Sequence, residues 1–354
     1  MSQESIISAL KTKIEAEKNN IENYIELSKC YLSIDDLDNA LRIAKDGLQL
    51  DSNNYECLNL IAGIYFCKKM FSESLQIYLR ASEVQPENYN VFYNLGNIYS
   101  KINNFVLAQK NYIKALELSP NNPSIYTALG LLYTDIENYR QAIEYFNKAI
   151  DLDKENYENY LNIANVEHKK ENYKNALNYY LKANELSQNN PIIILSLANA
   201  YTMLKDYKNA NDCFDKAIKL NPNNYSARIC RAVSLEEQGE IQEALSVIKE
   251  AISIRPDKIN GYLLLANILL QEKRYQEAIE TYNLALKISE SNPQIHVHIA
   301  NAYVLFNDYE SAITHYRNSI SHSPKNQEIK LIYIDVMKNY IDNKMKGLKW
   351  TQLF

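Results

Sequence analysis

The feature that most constrains this chain is an internal repeat of 34 residues. When residues 89–122 are aligned with residues 123–156, an aromatic residue, a Leu-Gly pair, a Tyr, an Ala, a second aromatic residue and a second Ala recur at identical offsets without a gap. Continuing this frame gives nine consecutive repeats, 21–54, 55–88, 89–122, 123–156, 157–190, 191–224, 225–258, 259–292 and 293–326. Such a period is typical of an array in which each unit buries its apolar face against its neighbours.

The composition points to helices and excludes several classes of protein. A content of 46% hydrophobic and 23% charged residues excludes a disordered chain, and only seven Gly and eight Pro in 354 residues argue against loop-rich β folds. The formal net charge of −5, without a long basic run, argues against a nucleic-acid partner. No apolar run in the sequence is long enough to span a bilayer. We therefore expect a soluble cytoplasmic protein with no nucleic-acid partner and no membrane insertion.

Helix-breaking and helix-capping residues recur at fixed places in the repeat. All eight prolines fall at repeat position 1 or 32, in the turn between repeats, where Pro costs no needed N–H. The residue before position 1 is Asn at every boundary except Lys258, and an Asn there can accept the free N–H groups of the first turn. Position 16 offers the same chemistry in six repeats, through Asp36, Asn104, Asn138, Asn172, Asp206 and Asp308. Each repeat is therefore predicted to form two antiparallel helices, helix A and helix B.

The residues at these positions resemble the tetratricopeptide repeat family, which has a large residue at position 4, Leu-Gly or Leu-Ala at 7 and 8, Tyr at 11, Ala at 20, an aromatic residue at 24, Ala at 27 and Pro at 32. Position 20 is Ala in eight repeats and Ser74 in the other. The resemblance implies an all-α fold, a right-handed superhelical α-solenoid of tandem helix-turn-helix repeats. Repeat 225–258 departs most, with Arg228 and Arg231 at positions 4 and 7, and we expect a local adjustment or looser packing there.

The segments that flank the nine repeats are predicted to close the array, because the terminal units would otherwise expose an apolar face. We expect residues 1–20 to form an N-terminal capping helix and residues 327–343 to form a C-terminal one. Two interpretations of the tail 344–354, which contains the only Trp at position 350, stay open: it folds back on the cap, or it anchors another molecule. Self-association through the end repeats also stays open.

The sequence offers no clear pattern for catalysis or for metal binding. Gly96 and Gly130 fall inside helix A, where close packing explains them better than a phosphate-binding loop. His296 and His298 are two residues apart on a predicted helix, so they point to opposite faces and do not easily share one ion. The five cysteines show no CxxC spacing and suit reduced thiols. We predict a chain that is not an enzyme and has no cofactor and no metal site.

In the family that the chain resembles, helix A positions 2, 5, 6, 9, 12 and 13 line a concave groove for an extended peptide or a partner helix. Position 9 is Asn in five of the nine repeats, and position 6 adds two more. Each amide offers a donor and an acceptor, which suits a peptide backbone. The alternative is that the Asn side chains at position 9 merely bond within the array or face water. The candidate ligand-binding residues are Asn94, Asn97, Asn162, Asn165, Asn199, Asn267, Asn301, Tyr93, Lys101 and Lys169. We expect replacement of such exposed Asn residues by Ala to change stability little.

Position 5 distinguishes this groove from one kind of peptide site. The members of the family that clamp the acidic C terminus of heat-shock chaperones have Lys at position 5, and no repeat of this chain does. Groove positions become apolar towards the C-terminal half, for example at Leu195, Leu263 and Val297, which favours apolar partners.

We predict a protein–protein interaction scaffold. The alternative function is the substrate-recognition arm or subunit of a larger enzyme, such as an O-linked N-acetylglucosamine-type glycosyltransferase.

Overall fold

The computed structural model describes residues 3–351, and for residue 343 and residues 345–351 it describes only the helical backbone. The described residues form twenty helices and no strand. In chain order they are α1 (Gln3–Ala16), α2 (Ile21–Ser33), α3 (Leu37–Leu50), α4 (Tyr55–Cys67), α5 (Phe71–Val84), α6 (Tyr89–Lys101), α7 (Phe105–Leu118), α8 (Pro123–Asp135), α9 (Tyr139–Leu152), α10 (Tyr157–Lys169), α11 (Tyr173–Leu186), α12 (Pro191–Met203), α13 (Tyr207–Leu220), α14 (Tyr225–Gln238), α15 (Ile241–Ile254), α16 (Ile259–Gln271), α17 (Tyr275–Ile288), α18 (Pro293–Leu305), α19 (Tyr309–His322) and α20 (Gln327–Thr351).

Nine helical hairpins, from α2–α3 to α18–α19, follow one another along the chain. Helix A of each hairpin begins at repeat position 1 and helix B begins at position 17, so equivalent helices start 34 residues apart. The all-α solenoid class predicted from the sequence is confirmed. The chain divides into two compact units, the first ending at Ser187 and the second beginning at Gln188. The first unit contains α1 to α11 and the second contains α12 to α20.

Within each unit a helix packs mainly against the helices that precede and follow it in the chain. In the first unit helix A also touches helix A of the next repeat, as α6 touches α8. Small residues permit the close contact inside a hairpin, since Ala108, Ala142 and Ala176 at position 20 are fully buried. Where Ser replaces Ala at this position, the Ser74 hydroxyl donates to the carbonyl of Ala62 at 2.7 Å, so a buried polar group is satisfied.

The capping residues behave as the sequence predicts, with one exception. The Asn side chain before helix A accepts a backbone N–H at all nine predicted boundaries, and Lys258 makes no such bond. Before helix B, five of the six predicted caps form, from Asp36 to Asp308. The prediction is wrong for Asn172, because its amide donates instead to the buried carboxylate of Glu167 at 2.7 Å.

Every turn between helix A and helix B contains one residue in the left-handed backbone region. This residue always lies at repeat position 15, and in eight of the nine repeats it is not Gly, with φ between 58° and 64°. The ninth is Gly239, with φ of 81°. A left-handed conformation costs an L-residue roughly 1–2 kcal/mol. The turn is therefore fixed by the packing of the two helices rather than by the preference of the residue within it.

Repeat 225–258 accommodates its two arginines by ion pairing. Arg228 donates to the carbonyl of Pro222 at 2.6 Å and pairs with Glu250 at 3.3 Å. Arg231 pairs with Asp215 at 2.8 Å and with Glu243 at 3.3 Å. Helix A of this repeat, α14, has 14 residues instead of 13 and ends against Gly239.

The C-terminal helix α20 extends to Thr351, beyond residue 343 where the predicted cap ends. Residues 344–351 contain no Pro to stop the helix, so most of the predicted tail is helical. The rest of the tail, 352–354, and the side chain of Trp350 lie outside the described residues. In the part of the chain that the structure describes, no helix combines the length and the apolar character that a bilayer crossing requires.

Candidate functional site

Four of the five Asn side chains at position 9 accept a hydrogen bond from the Tyr hydroxyl at position 24 of their own repeat. The two residues are 15 positions apart, one on helix A and one on helix B. The pairs are Asn97–Tyr112 (2.7 Å), Asn165–Tyr180 (2.8 Å), Asn267–Tyr282 and Asn301–Tyr316. We call them the Asn–Tyr pairs. In each pair the amide oxygen bonds inside the repeat.

Burial explains why these tyrosines need an acceptor. These tyrosines are between 0% and 3% exposed, and burial raises the pKa of Tyr112 and raises the pKa of Tyr282 to about 12. A buried hydroxyl without a partner costs about 1–3 kcal/mol. The Asn oxygen satisfies the hydroxyl, while the amide nitrogen keeps its two N–H donors. For Asn97 and Asn165, no described residue accepts from that nitrogen.

The fifth Asn at position 9 has a different partner. Asn199 has Phe214 at position 24, which carries no hydroxyl, and the Asn199 side chain acts on the Cys230 thiol instead. Burial raises the pKa of Cys230, and Asn199 opposes that effect. Four of the five position-9 amides therefore bond within their own repeat, which is one of the two arrangements that the alternative interpretation allows. The position-6 residues Asn94 and Asn162 differ, because neither amide bonds to another side chain among the described residues.

Seven of the predicted site residues line three pockets in the first unit. Tyr93, Asn97 and Lys101 line a pocket of about 630 Å³, which we call the Tyr93 pocket. The Asn162 pocket, of about 370 Å³, is lined by Asn162, Asn165 and Lys169. The Tyr93 and Asn162 pockets share Leu131 as a wall. The Asn94 pocket, of about 390 Å³, contains Asn94 together with Asn59 and Asn90. The structure thus places three predicted residues in each of the two adjoining pockets and Asn94 in a separate one, and Asn199, Asn267 and Asn301 lie in the second unit.

Charges of both signs line the pockets. In the Tyr93 pocket the ammonium of Lys101 faces the same space as the carboxylates of Asp135 and Glu158. In the Asn94 pocket Lys29 and Glu56 form an ion pair at 3.0 Å. Four further residues that line the Tyr93 pocket were not predicted from the sequence, although each occupies a groove position: Asp135 (position 13), Glu158 (position 2), Ser100 (position 12) and Ser124 (position 2). Reading every groove position, instead of the Asn positions alone, would have found them.

The Asn162 pocket differs from the other two. Lys169 lies at its edge, beside His168, whose ring packs edge-on against Tyr173 at 5.1 Å between centroids. Burial lowers the pKa of His168, so this ring is neutral at neutral pH. The charge in this pocket therefore comes from Lys169.

Three histidines that the sequence separates lie together in repeat 293–326. Nδ1 of His296 lies 3.1 Å from Nδ1 of His315, and the His322 ring stacks on His296 with centroids 5.9 Å apart. Tyr303 packs on His315. Burial lowers the pKa of His296 and His315, and each also feels a neighbouring imidazole. Within the described residues, no three His, Cys, Asp or Glu side chains are arranged to hold a metal ion.

Comparison with known proteins agrees with the fold. Tetratricopeptide repeat models match residues 87–155, 127–191, 235–300 and 293–326, and a model of anaphase-promoting complex, cyclosome, subunit 3 matches residues 169–251. A search of curated proteins finds no significant match.

Solved structures that resemble the chain share its fold at low sequence identity. Yeast Tom70 superposes with a TM-score of 0.56 at 16% identity, over 97% of this chain and 93% of Tom70. A tetratricopeptide repeat protein from Parabacteroides merdae gives 0.56 at 18% identity, over 70% and 98%. The pilF protein of Pseudomonas aeruginosa gives 0.52 at 20%, over 62% and 97%. Repeats of this kind generally form interaction scaffolds rather than enzymes. Since the tetratricopeptide repeat models together match more than half of its residues, the chain belongs to the tetratricopeptide repeat family.

Proposed function

We propose that the chain is a non-enzymatic scaffold that binds an extended peptide segment of a protein partner across the three pockets of its first unit. One observation carries the proposal. In the Tyr93 and Asn162 pockets, Asn97 and Asn165 have their amide oxygens bonded to buried tyrosines and their amide nitrogens free to donate. These pockets therefore present N–H donors at equivalent positions of repeats 89–122 and 157–190.

Such donors select for the carbonyl oxygens of an extended segment. A helical partner already uses its own carbonyls in i→i−4 bonds, except in its last turn, and offers only side chains. An extended peptide has free carbonyls along its length. The position-6 amides of Asn94 and Asn162 still offer both a donor and an acceptor, and so can take a peptide N–H as well.

The charges in the pockets indicate a partner segment of mixed character. Lys101 and Lys169 can pair with acidic side chains, while Asp135 and Glu158 oppose a strongly acidic segment in the Tyr93 pocket. This balance, like the missing Lys at position 5, is unsuited to a purely acidic C-terminal motif. We place the protein in the cytoplasm because its five cysteines are free thiols, among them Cys57, whose pKa burial raises to about 11.

The test begins with a displayed library of random peptides that is selected on the purified full chain. The affinity of a selected peptide is then measured by calorimetry for the wild type and for the Asn94→Ala/Asn162→Ala double variant. Two lost contacts, each worth about 0.5–1.5 kcal/mol, should weaken binding by roughly 5- to 150-fold.

The matched control is the Asn147→Ala/Asn318→Ala variant, which removes two exposed Asn residues from helix B and should bind as the wild type does. Failure to select any peptide, or equal affinity for the wild type and the Asn94/Asn162 variant, would contradict the proposal.

A further inference from the structure

The C-terminal helix α20 has two apolar faces. One face packs on the last repeat, where Ile329 and Val336 are buried and Tyr333 contacts the same cluster. The opposite face carries Leu331, Ile334 and Ile341, which are 67%, 47% and 51% exposed. Single exposed apolar residues need no explanation, but these three lie along one face of the helix, with only Lys338 between Ile334 and Ile341. We call this the outer stripe of α20.

The outer stripe has the spacing of a coiled-coil seam. Leu331 and Ile334 are three residues apart, as the a and d positions of one heptad are. Ile341 follows seven residues after Ile334 and so occupies the d position of the next heptad. Lys338 occupies the remaining a position. Most residues that pack on the last repeat fall at b, c and f, on the far side of the helix, and Met337 packs there from a g position.

Charges on the two sides of the outer stripe have opposite signs. The e positions are all acidic, namely Glu328, Asp335 and Asp342, and they are exposed. The g positions include Lys330 and Lys344, and Lys344 is already paired with Glu310 at 3.2 Å. The helix therefore has one acidic edge and one basic edge.

We propose that the outer stripe binds the same stripe of a second copy of this chain, with the two α20 helices parallel. In a parallel pair each g residue faces the e residue five positions on in the partner, so Lys330 meets Asp335 of the second copy twice by symmetry. In an antiparallel pair e faces e, and acidic edges would meet. The charge pattern thus favours a second copy of the chain as the partner of the outer stripe, with the two α20 helices running in the same direction. A polar residue at one a position, here Lys338, specifies register at a cost in stability.

The expected dimer is weak. The contact covers about one and a half heptads, far less than the roughly 800 Å² per partner of a stable standard interface. We expect dissociation constants on the order of tens of micromolar. The association should also weaken with salt, since its direction depends on exposed ion pairs.

The experiment is sedimentation velocity of the full chain over a concentration series up to a few hundred micromolar. Ile334→Asp should abolish the association, and melting curves should be unchanged because the side chain is exposed. Lys330→Asp alone and Asp335→Lys alone should each weaken self-association at least fivefold, since each places like charges opposite one another. An equimolar mixture of these two variants should form heterodimers, because both ion pairs are then restored.

Every other outcome overturns the inference. A wild type that stays monomeric would show that a different molecule, or none, covers the stripe. Association that survives Ile334→Asp would place the contact elsewhere. The absence of heterodimers in the mixture would exclude the parallel arrangement, because that arrangement restores both ion pairs in the mixed dimer.

Discussion

Replacing Asn97 by Ala should lower the stability of the fold. Replacing an exposed helical Asn that has no bonded partner should instead leave stability unchanged or raise it slightly. Asn97 is half-buried, and its oxygen accepts from the hydroxyl of Tyr112, a residue that is 3% exposed. Removing the acceptor leaves that hydroxyl unsatisfied, at a cost of about 1–3 kcal/mol. Ala is the better helix former by up to about 0.7 kcal/mol. The net expectation is a loss of roughly 0.3–3 kcal/mol, whereas the sequence alone predicts little change or a slight gain in stability.

The matched change Tyr112→Phe removes the donor instead of the acceptor. Phe already occupies position 24 at Phe146 and Phe214, both fully buried, so the ring should fit. The Asn97 oxygen then faces the Tyr93 pocket, where water can reach it, and the cost should be smaller, about 0.5–1.5 kcal/mol. The double variant Asn97→Ala/Tyr112→Phe leaves no unsatisfied group and should be more stable than Asn97→Ala alone.

The assay is hydrogen exchange of peptides from repeat 89–122, with urea unfolding alongside. Local exchange is needed because a repeat array does not unfold as one two-state unit. A change of 1.4 kcal/mol corresponds to a tenfold change in the exchange rate of a fully protected amide. Asn94→Ala, one turn away and without a bonded partner, is the control and should be neutral or slightly stabilising. If Asn97→Ala matches this control, or if the two single changes simply add, the Asn–Tyr pair does not contribute to the fold.

Three further outcomes are expected. Gly239→Ala should destabilise the second unit by about 1–2 kcal/mol in urea unfolding, since its φ is 81° and nothing lies within 4 Å of the added carbon, so only backbone strain acts. Ala142→Leu should cost about 1–3 kcal/mol by overpacking a fully buried contact, and an unchanged midpoint would contradict the close packing of helix A on helix B. Burial lowers the pKa of His296 and His315, so the unfolded chain binds more protons than the folded one between the lowered folded pKa values and the unfolded pKa of about 6.5. Stability should therefore be full above that value and fall as the pH drops through the folded pKa values; melting curves at acidic and neutral pH should show this, and His296→Tyr should reduce the dependence.

The helices and their caps could be predicted because the signals that set them are local and repeated. An Asn before helix A acts within three residues, as the bond from the Cys57 N–H to Asn54 shows. Nine copies of the same signal reveal it in one sequence. The exception at Asn172 arises from a tertiary neighbour, Glu167, whose presence the cap position does not encode.

The sequence indicated which repeat positions line the candidate pockets, but not which hydrogen bonds the Asn side chains at those positions make. The pockets contain Asn97, Lys101 and Asn162, as the groove positions imply. A signal for the Asn–Tyr pairs was also present, because Tyr at position 24 accompanies Asn at position 9 in four repeats, whereas Leu131 accompanies Phe146. Recognising that signal requires knowing that positions 9 and 24 touch, which the structure supplies. The histidine cluster has no such signal, since its members come from positions 4, 23 and 30 of a single repeat.

The Asn side chains of the Asn–Tyr pairs contribute both to the stability of the fold and to the proposed peptide binding, whereas the position-6 amides contribute to binding alone. A free Asn amide at the surface rotates, and a partner that uses it must hold it in one orientation, at a cost of about 0.5–1.5 kcal/mol. In Asn97 and Asn165 the tyrosine already fixes that orientation, because its hydroxyl is bonded to the amide oxygen. The bond that satisfies a buried hydroxyl thus also preorganises a donor. Changes at position 9 therefore alter folding and binding together, whereas changes at Asn94 and Asn162 can alter binding alone, which makes position 6 the place where the proposed function is most cleanly tested.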